Sequence, residues 1–160
     1  MRASHLKALL LVVLASCGGG DSDTMAPDAN EVAACVSSGR GDTYVAGLEK
    51  PGTGGLLDFK LMTADPSPPA RFLNNWVVQV DAMTNGTPMD GVSMVVTPFM
   101  PDHQHGAGAY KVKVAPVDGA SGQYSLTDIN TWMPGYWEIT IDATAGTMHD
   151  TAVYKFCIPE

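Results

Sequence analysis

Two histidines and a methionine lie close together in a segment rich in proline and glycine. Residues 99–106 read FMPDHQHG, so His103 and His105 follow Met100 by three and five positions. Side chains two residues apart point the same way in an extended loop, so both imidazoles can face one ion. Imidazole suits copper, zinc and nickel, and a thioether selects Cu(I), so the combination favours copper. Asp102 is placed to orient a histidine through its second ring nitrogen. The alternative is a surface loop that merely contains two histidines.

A second methionine follows in the connection 128–135, which ends in the residues WMPG. If each strand of a β-sandwich crosses it once, successive connections alternate between its two ends. This connection then shares an end with the loop 98–109. Met133 is therefore a candidate fourth ligand, and Trp132 is expected to cover the site. The alternative is that both side chains simply close this end of the sandwich.

The elements that position these loops are predicted to be short strands. From residue 40 onward, no segment longer than ten residues has helical periodicity, and Gly and Pro interrupt the chain repeatedly. Trp137, Ile139 and Ile141 alternate with polar residues, as expected of a half-buried strand. The predicted strands are 43–47, 56–63, 76–81, 92–98, 110–116, 123–128, 136–143 and 151–158. Seven to eight short strands predict an all-β fold, an immunoglobulin-like antiparallel β-sandwich over residues 40–160.

The N-terminal residues are predicted to direct export and lipidation. Residues 1–16 combine a charged start with a short apolar run, which is typical of a secretory signal peptide. The run ends in LASC, which resembles a bacterial lipobox, so Cys17 is expected to be diacylated. The alternative is an ordinary signal peptide with an incidental cysteine. Residues 17–39 are predicted to form a flexible acidic tether. These features predict a bacterial envelope protein that is lipid-anchored on the periplasmic side or in the outer membrane.

The two remaining cysteines, Cys35 and Cys157, flank the predicted domain. An exported protein experiences oxidising conditions, which favour a disulfide. A bond between these residues would close a loop of about 120 residues and stabilise the fold by about 4–5 kcal/mol in the chain-entropy model. The alternative is two separate buried thiols.

The charge balance argues against a nucleic-acid partner. The chain has 9 basic and 17 acidic residues, a formal net charge of -8, which becomes -10 once a signal peptide containing Arg2 and Lys7 is removed. Such a protein lacks the basic field that phosphate backbones require. No nucleophile elbow, phosphate-binding loop or H-E-x-x-H pair is present, so no catalytic residues are predicted and an enzyme is not expected.

Two motifs together resemble a known family. Residues 100–106 (MPDHQHG) and 133–139 (MPGYWEI) resemble the YtkA-like domain, a pattern that also occurs in FixH-type proteins. The resemblance covers about residues 55–156. It implies a small exported or membrane-tethered β-sandwich associated with copper handling and respiratory oxidase assembly. The family's usual Met-Pro-x-Met-x-His pattern departs here, because Asp102 and His103 occupy its middle and the loop has one methionine fewer.

Two functional hypotheses follow from these patterns. The first is a lipid-anchored metal-handling protein or metallochaperone that binds copper and exchanges it with a copper-receiving envelope protein. The second is an envelope interaction module that uses the same sandwich without metal. In both, the lipid anchor makes the membrane a partner.

Overall fold

The computed structural model describes residues 27–160, most of which form two antiparallel β-sheets. The expected signal peptide, Cys17 and the first part of the expected tether lie outside the described residues. Between residues 27 and 160, no helix is both long and apolar enough to cross a bilayer.

The predicted all-β antiparallel sandwich is confirmed. In chain order, the strands are β1 (Leu48–Pro51), β2 (Leu57–Asp65), β3 (Phe72–Ala82), β4 (Ser93–Met100), β5 (His105–Gly106), β6 (Lys113–Pro116), β7 (Gln123–Thr131), β8 (Gly135–Ala145) and β9 (Met148–Ile158). One sheet has the order β1-β2-β3-β7-β6 and the other the order β5-β4-β8-β9. Every pairing between these strands is antiparallel.

The core lies between the two sheets and follows from the alternation of apolar residues. On β8, Trp137, Ile139 and Ile141 are buried, as their alternation with polar residues predicts. Trp76 of β3 meets Phe156 of β9 edge-on, with ring centroids 5.6 Å apart. Such inter-sheet contacts fix how the strand ends are placed relative to one another.

Two details of the strand prediction were wrong. Residues 43–47 are not a strand; the edge strand β1 instead begins at Leu48, immediately after Gly47. Gly47 has a φ of 81°, which interrupts an extended chain and lets the following residues pair with β2. His105–Gly106, expected in a loop, forms the two-residue strand β5 against the end of β4. The described residues therefore contain nine strands rather than seven or eight.

Part of the expected tether is helical, which corrects that prediction and moves the start of the folded part before residue 40. Helix α1 spans Pro27–Ser37 and packs against β8 and β9. The predicted disulfide between Cys35 and Cys157 is confirmed, and it joins α1 to the end of β9. An isolated helix of 11 residues is marginal in water, so these tertiary contacts hold it. The local sequence pattern does not predict the packing of α1 against β8 and β9.

Two chain connections meet at one end of the sandwich, called here the site end. It contains the turn 101–104 between β4 and β5, and the connection 132–134 between β7 and β8. Helix α1 reaches the same end, because Gly135 at the start of β8 pairs with Ile158 next to the disulfide. Phe72, the first residue of β3, pairs with Thr131 there.

Candidate metal centre

His103 is held by a carboxylate from the N-terminal helix. Both carboxylate oxygens of Glu31 lie 2.8 Å from Nε2 of His103. A carboxylate only accepts hydrogen bonds, so Nε2 carries the proton that is donated to it. In the neutral ring, Nδ1 is then the nitrogen with a free lone pair. The backbone of the turn supports this placement, since His103 N donates to Met100 O at 3.3 Å.

His105 has the complementary arrangement. Its Nδ1 lies 3.1 Å from Gly106 O, a carbonyl that only accepts, so Nδ1 is the protonated nitrogen. Its Nε2 is buried and has no hydrogen-bond partner among the described residues. Leaving a buried polar atom unpaired costs about 1–3 kcal/mol, so such an atom calls for an explanation.

Two tryptophans enclose the ring of His105. Trp132 stacks on it with ring centroids 5.0 Å apart and planes inclined by 28°. Trp137 meets it edge-on at 5.8 Å. The structure therefore brings the expected cover residue, Trp132, onto a predicted ligand, and it adds Trp137, whose Nε1 donates to Met133 O at 2.9 Å.

The two imidazoles are close enough to share one ion. Their ring centroids are 5.7 Å apart and their planes are inclined by 81°. A ring whose nitrogen binds a metal at about 2 Å has its centroid about 3 Å from that metal, so two such rings lie about 5–6 Å apart. The separation between His103 and His105 is within that range.

The side chain of Met100 belongs to the hydrophobic core and leaves the sheet on the same face as that of His105. Met100 is fully buried and is the direct partner of His105 in the β4–β5 pairing. A Cβ atom added to Gly135 would lie 2.6 Å from Met100 Cε and 3.5 Å from Glu31 Oε2. Both groups therefore face the backbone of Gly135, which needs glycine for this close approach and for its φ of 122°.

Asp102 and Met133 are placed differently from this cluster. Arg40 donates to both carboxylate oxygens of Asp102 at 2.8 Å, and the guanidinium lies 3.9 Å from the ring centroid of Tyr136. The hydrogen bond from Arg40 holds the pKa of Asp102 below its usual range. The role expected of Asp102, orienting a histidine, is filled at His103 by Glu31. Met133 is half-buried and packs against the core.

Within residues 27–160, no group of three or more His, Cys, Asp and Glu side chains is arranged to hold a metal ion. A site at this end of the sandwich would therefore depend on two imidazoles and a thioether. The thioether in such a set favours Cu(I), whereas calcium and magnesium prefer oxygen ligands.

Sequence reasoning missed Glu31, although one signal pointed to it. The predicted disulfide places Cys35 at the end of the last strand, and Glu31 lies one helical turn before Cys35. The obstacle was the interpretation of this segment as a tether, which gave its side chains no fixed position.

No family model, curated protein or solved structure matches this chain. The resemblance to the YtkA-like domain therefore stays a prediction.

Proposed function

We propose that this chain is a lipid-anchored envelope protein with a YtkA-like domain that binds copper through His103 and His105. The observation that carries the proposal is the hydrogen bonding of the two rings. Each has one nitrogen engaged by an acceptor, Glu31 or Gly106 O, which assigns the lone pair to the other nitrogen. For His105 that other nitrogen is buried and unpaired.

The proposed third ligand is Met100, because it is buried and is the direct partner of His105 in the pairing of β4 with β5. Two imidazoles and a thioether favour Cu(I) over Cu(II). Met133 remains a candidate fourth ligand that would approach from the β7–β8 connection. Glu31 acts through His103: it fixes the orientation of the ring and raises the basicity of Nδ1.

His105 is covered by a tryptophan and His103 is partly exposed, which suggests the side from which copper would be exchanged with a partner. Trp132 covers His105, whereas the side chains of His103 and Glu31 are 28% and 36% exposed. A copper-receiving envelope protein would therefore approach from the side of His103. Net negative charge would help to attract a cation to this surface.

The test is a Cu(I) titration of the full chain against a competing chelator, run beside a Cu(II) titration. The double variant His103→Ala/His105→Ala is expected to lose saturable copper uptake while keeping the thermal transition of the wild type. The matched control is His149→Ala, because His149 is exposed on β9 and contacts Thr144. Stoichiometric copper in the double variant would refute the proposal.

The alternative function, an envelope interaction module without metal, makes the opposite prediction for the wild type. It is supported if the wild-type chain shows neither saturable copper uptake nor a copper-dependent rise in melting temperature.

A further inference from the structure

Four large apolar side chains surround a cleft at the site end, and only one of them, Trp132, has a part in the copper proposal. Phe72, Leu73, Tyr110 and Trp132 are 58%, 45%, 53% and 40% exposed. They line one cleft of about 570 Å³. Isolated exposed apolar residues are common, but a contiguous group of this kind marks a surface that contacts something else. We call these four residues the aromatic cleft.

The backbone at Phe72 is strained, and the side chain of this residue is exposed. Its φ of 76° lies in the left-handed region, which bulky residues rarely adopt. Arg71 braces the arrangement: its Nε donates to Trp132 O at 3.0 Å, and its guanidinium carbon lies 4.9 Å from the ring centroid of Phe72. The carbonyl of Phe72 accepts a hydrogen bond from Nδ2 of the buried Asn74 at 3.0 Å, which holds this conformation and leaves the aromatic ring exposed.

The start of helix α1 places the aromatic cleft near the proposed lipid anchor. Glu31, which contacts His103 at the site end, lies one helical turn after Pro27. Cys17 precedes Pro27 by ten residues, which span at most about 35 Å when fully extended. Strand β3 alone has 11 residues and is about 35 Å long. The segment between Cys17 and Pro27 is short and is attached to the domain at the site end. The site end is therefore favoured over the opposite end as the one that faces the bilayer.

We propose that the aromatic cleft docks on the lipid surface that holds the anchor. This inference rests on the proposed lipidation of Cys17 and is independent of copper. Tryptophan and tyrosine favour the boundary between headgroups and acyl chains, because one part of each ring system is apolar and another is polar. Arg71, which contacts Trp132 and Phe72, adds a cation that would pair with lipid phosphates. The net charge of -10 that remains after removal of the signal peptide opposes attraction to anionic lipids, so insertion of the aromatic groups drives the contact.

The fluorescence of the three tryptophans measures directly whether the aromatic cleft reaches the bilayer. Trp132 is 40% exposed, whereas Trp76 and Trp137 are 2% and 0% exposed. The full lipidated chain is reconstituted into phosphatidylcholine/phosphatidylethanolamine vesicles with or without brominated acyl chains, which quench only tryptophans at the bilayer. Wild-type protein is expected to lose the emission contributed by Trp132, and Trp132→Phe is expected to lose none.

Two variants, one at each end of β3, distinguish docking of the aromatic cleft on the bilayer from simple proximity of the domain to the bilayer. Phe72→Gly removes an aromatic group at a position whose φ suits glycine, so the fold is retained and quenching of Trp132 is expected to fall. Met83→Ser changes an exposed apolar residue just beyond the other end of β3 and is expected to leave quenching unchanged.

Vesicle flotation distinguishes this inference from the proposed anchor. Flotation with quenching of Trp132 supports both. Flotation without quenching overturns docking, leaves the anchor in place and assigns the aromatic cleft to a protein partner. A wild-type chain that does not float with the vesicles overturns the anchor and the docking together.

Discussion

Glu31 and His103 are 72 residues apart in sequence, yet both oxygens of the carboxylate lie 2.8 Å from Nε2 of the ring. This contact joins helix α1 to the turn 101–104, which contains the predicted copper ligand His103. The helix is held against the sandwich by the disulfide between Cys35 and Cys157, one turn further along. The covalent bond thus supports the position of a residue that acts on the ring of His103.

Removing this carboxylate is expected to weaken copper binding. Glu31→Ala frees the ring of His103 to rotate and lowers the basicity of Nδ1, so the affinity for Cu(I) should fall about 10-fold or more. Chelator competition measures the affinity. Glu160→Ala, which removes an exposed carboxylate at the C-terminus, is the matched control. Equal affinities of Glu31→Ala and wild type would show that the helix has no part in the site.

Gly135→Ala is expected to damage both the fold and the site. The new methyl group would meet Met100 Cε at 2.6 Å, and the φ of 122° disfavours any side chain. Gly119→Ala is the control for backbone strain alone, because Gly119 has a φ of 76° and open space around its Cβ position. Overpacking should make Gly135→Ala less stable than Gly119→Ala by about 1–3 kcal/mol in urea unfolding. Equal losses would mean that Met100 moves aside without cost.

Asp150 should stabilise the fold at neutral pH and cease to do so in acid. Burial raises the pKa of its carboxyl, but hydrogen bonds from the backbone N–H groups of Leu57, Gly54, Leu56 and Thr151 outweigh burial and bring that pKa below its usual value. A lowered folded-state pKa means that the stabilisation is complete above the unfolded value and is lost as the pH falls through the folded value.

Asp150→Asn is therefore expected to lower the free energy of unfolding by about 2–3 kcal/mol at pH 7. The deficit relative to wild type should begin to shrink below pH about 4, where the unfolded chain starts to bind a proton at Asp150, and should disappear only as the pH falls through the lower folded-state pKa. The control is Asp142→Asn, whose side chain accepts a hydrogen bond from the hydroxyl of Thr151. A deficit that does not depend on pH would contradict this explanation.

Asp58 should have the opposite pH dependence. Burial, followed by the hydrogen bond with Glu49, raises the pKa of Asp58 to about 6. Between that value and its unfolded pKa, near 4, the folded state binds the proton and the unfolded state does not. The free energy of unfolding therefore rises as the pH falls from about 6 to about 4.

Asp58→Asn is accordingly expected to increase the free energy of unfolding by about 1–2 kcal/mol at pH 7.5, because the amide mimics the protonated acid. The advantage should disappear near pH 4, as measured by urea unfolding at several pH values. Asp118→Asn, at an exposed position, should change stability little. Destabilisation by Asp58→Asn at pH 7.5 would contradict the raised pKa.

Much of the fold could be predicted, because strand formation depends on local patterns. The alternation of Trp137, Ile139 and Ile141 identified the buried face of β8, and the two cysteines after Cys17 identified the disulfide. The prediction failed at β1 and at helix α1. Strand β1 is stabilised by pairing with β2, and helix α1 by packing against β8 and β9. Neither depends on its own periodicity.

The sequence by itself determined an all-β sandwich and brought His103, His105, Met100 and Trp132 into consideration. These conclusions depend on residue type and on spacing, which are local properties. Only the tertiary structure decided that Glu31 engages one ring, that Asp102 pairs with Arg40 instead, and which nitrogen of each imidazole keeps its lone pair. Hydrogen-bond partners come from wherever the chain folds back, and no local pattern specifies them.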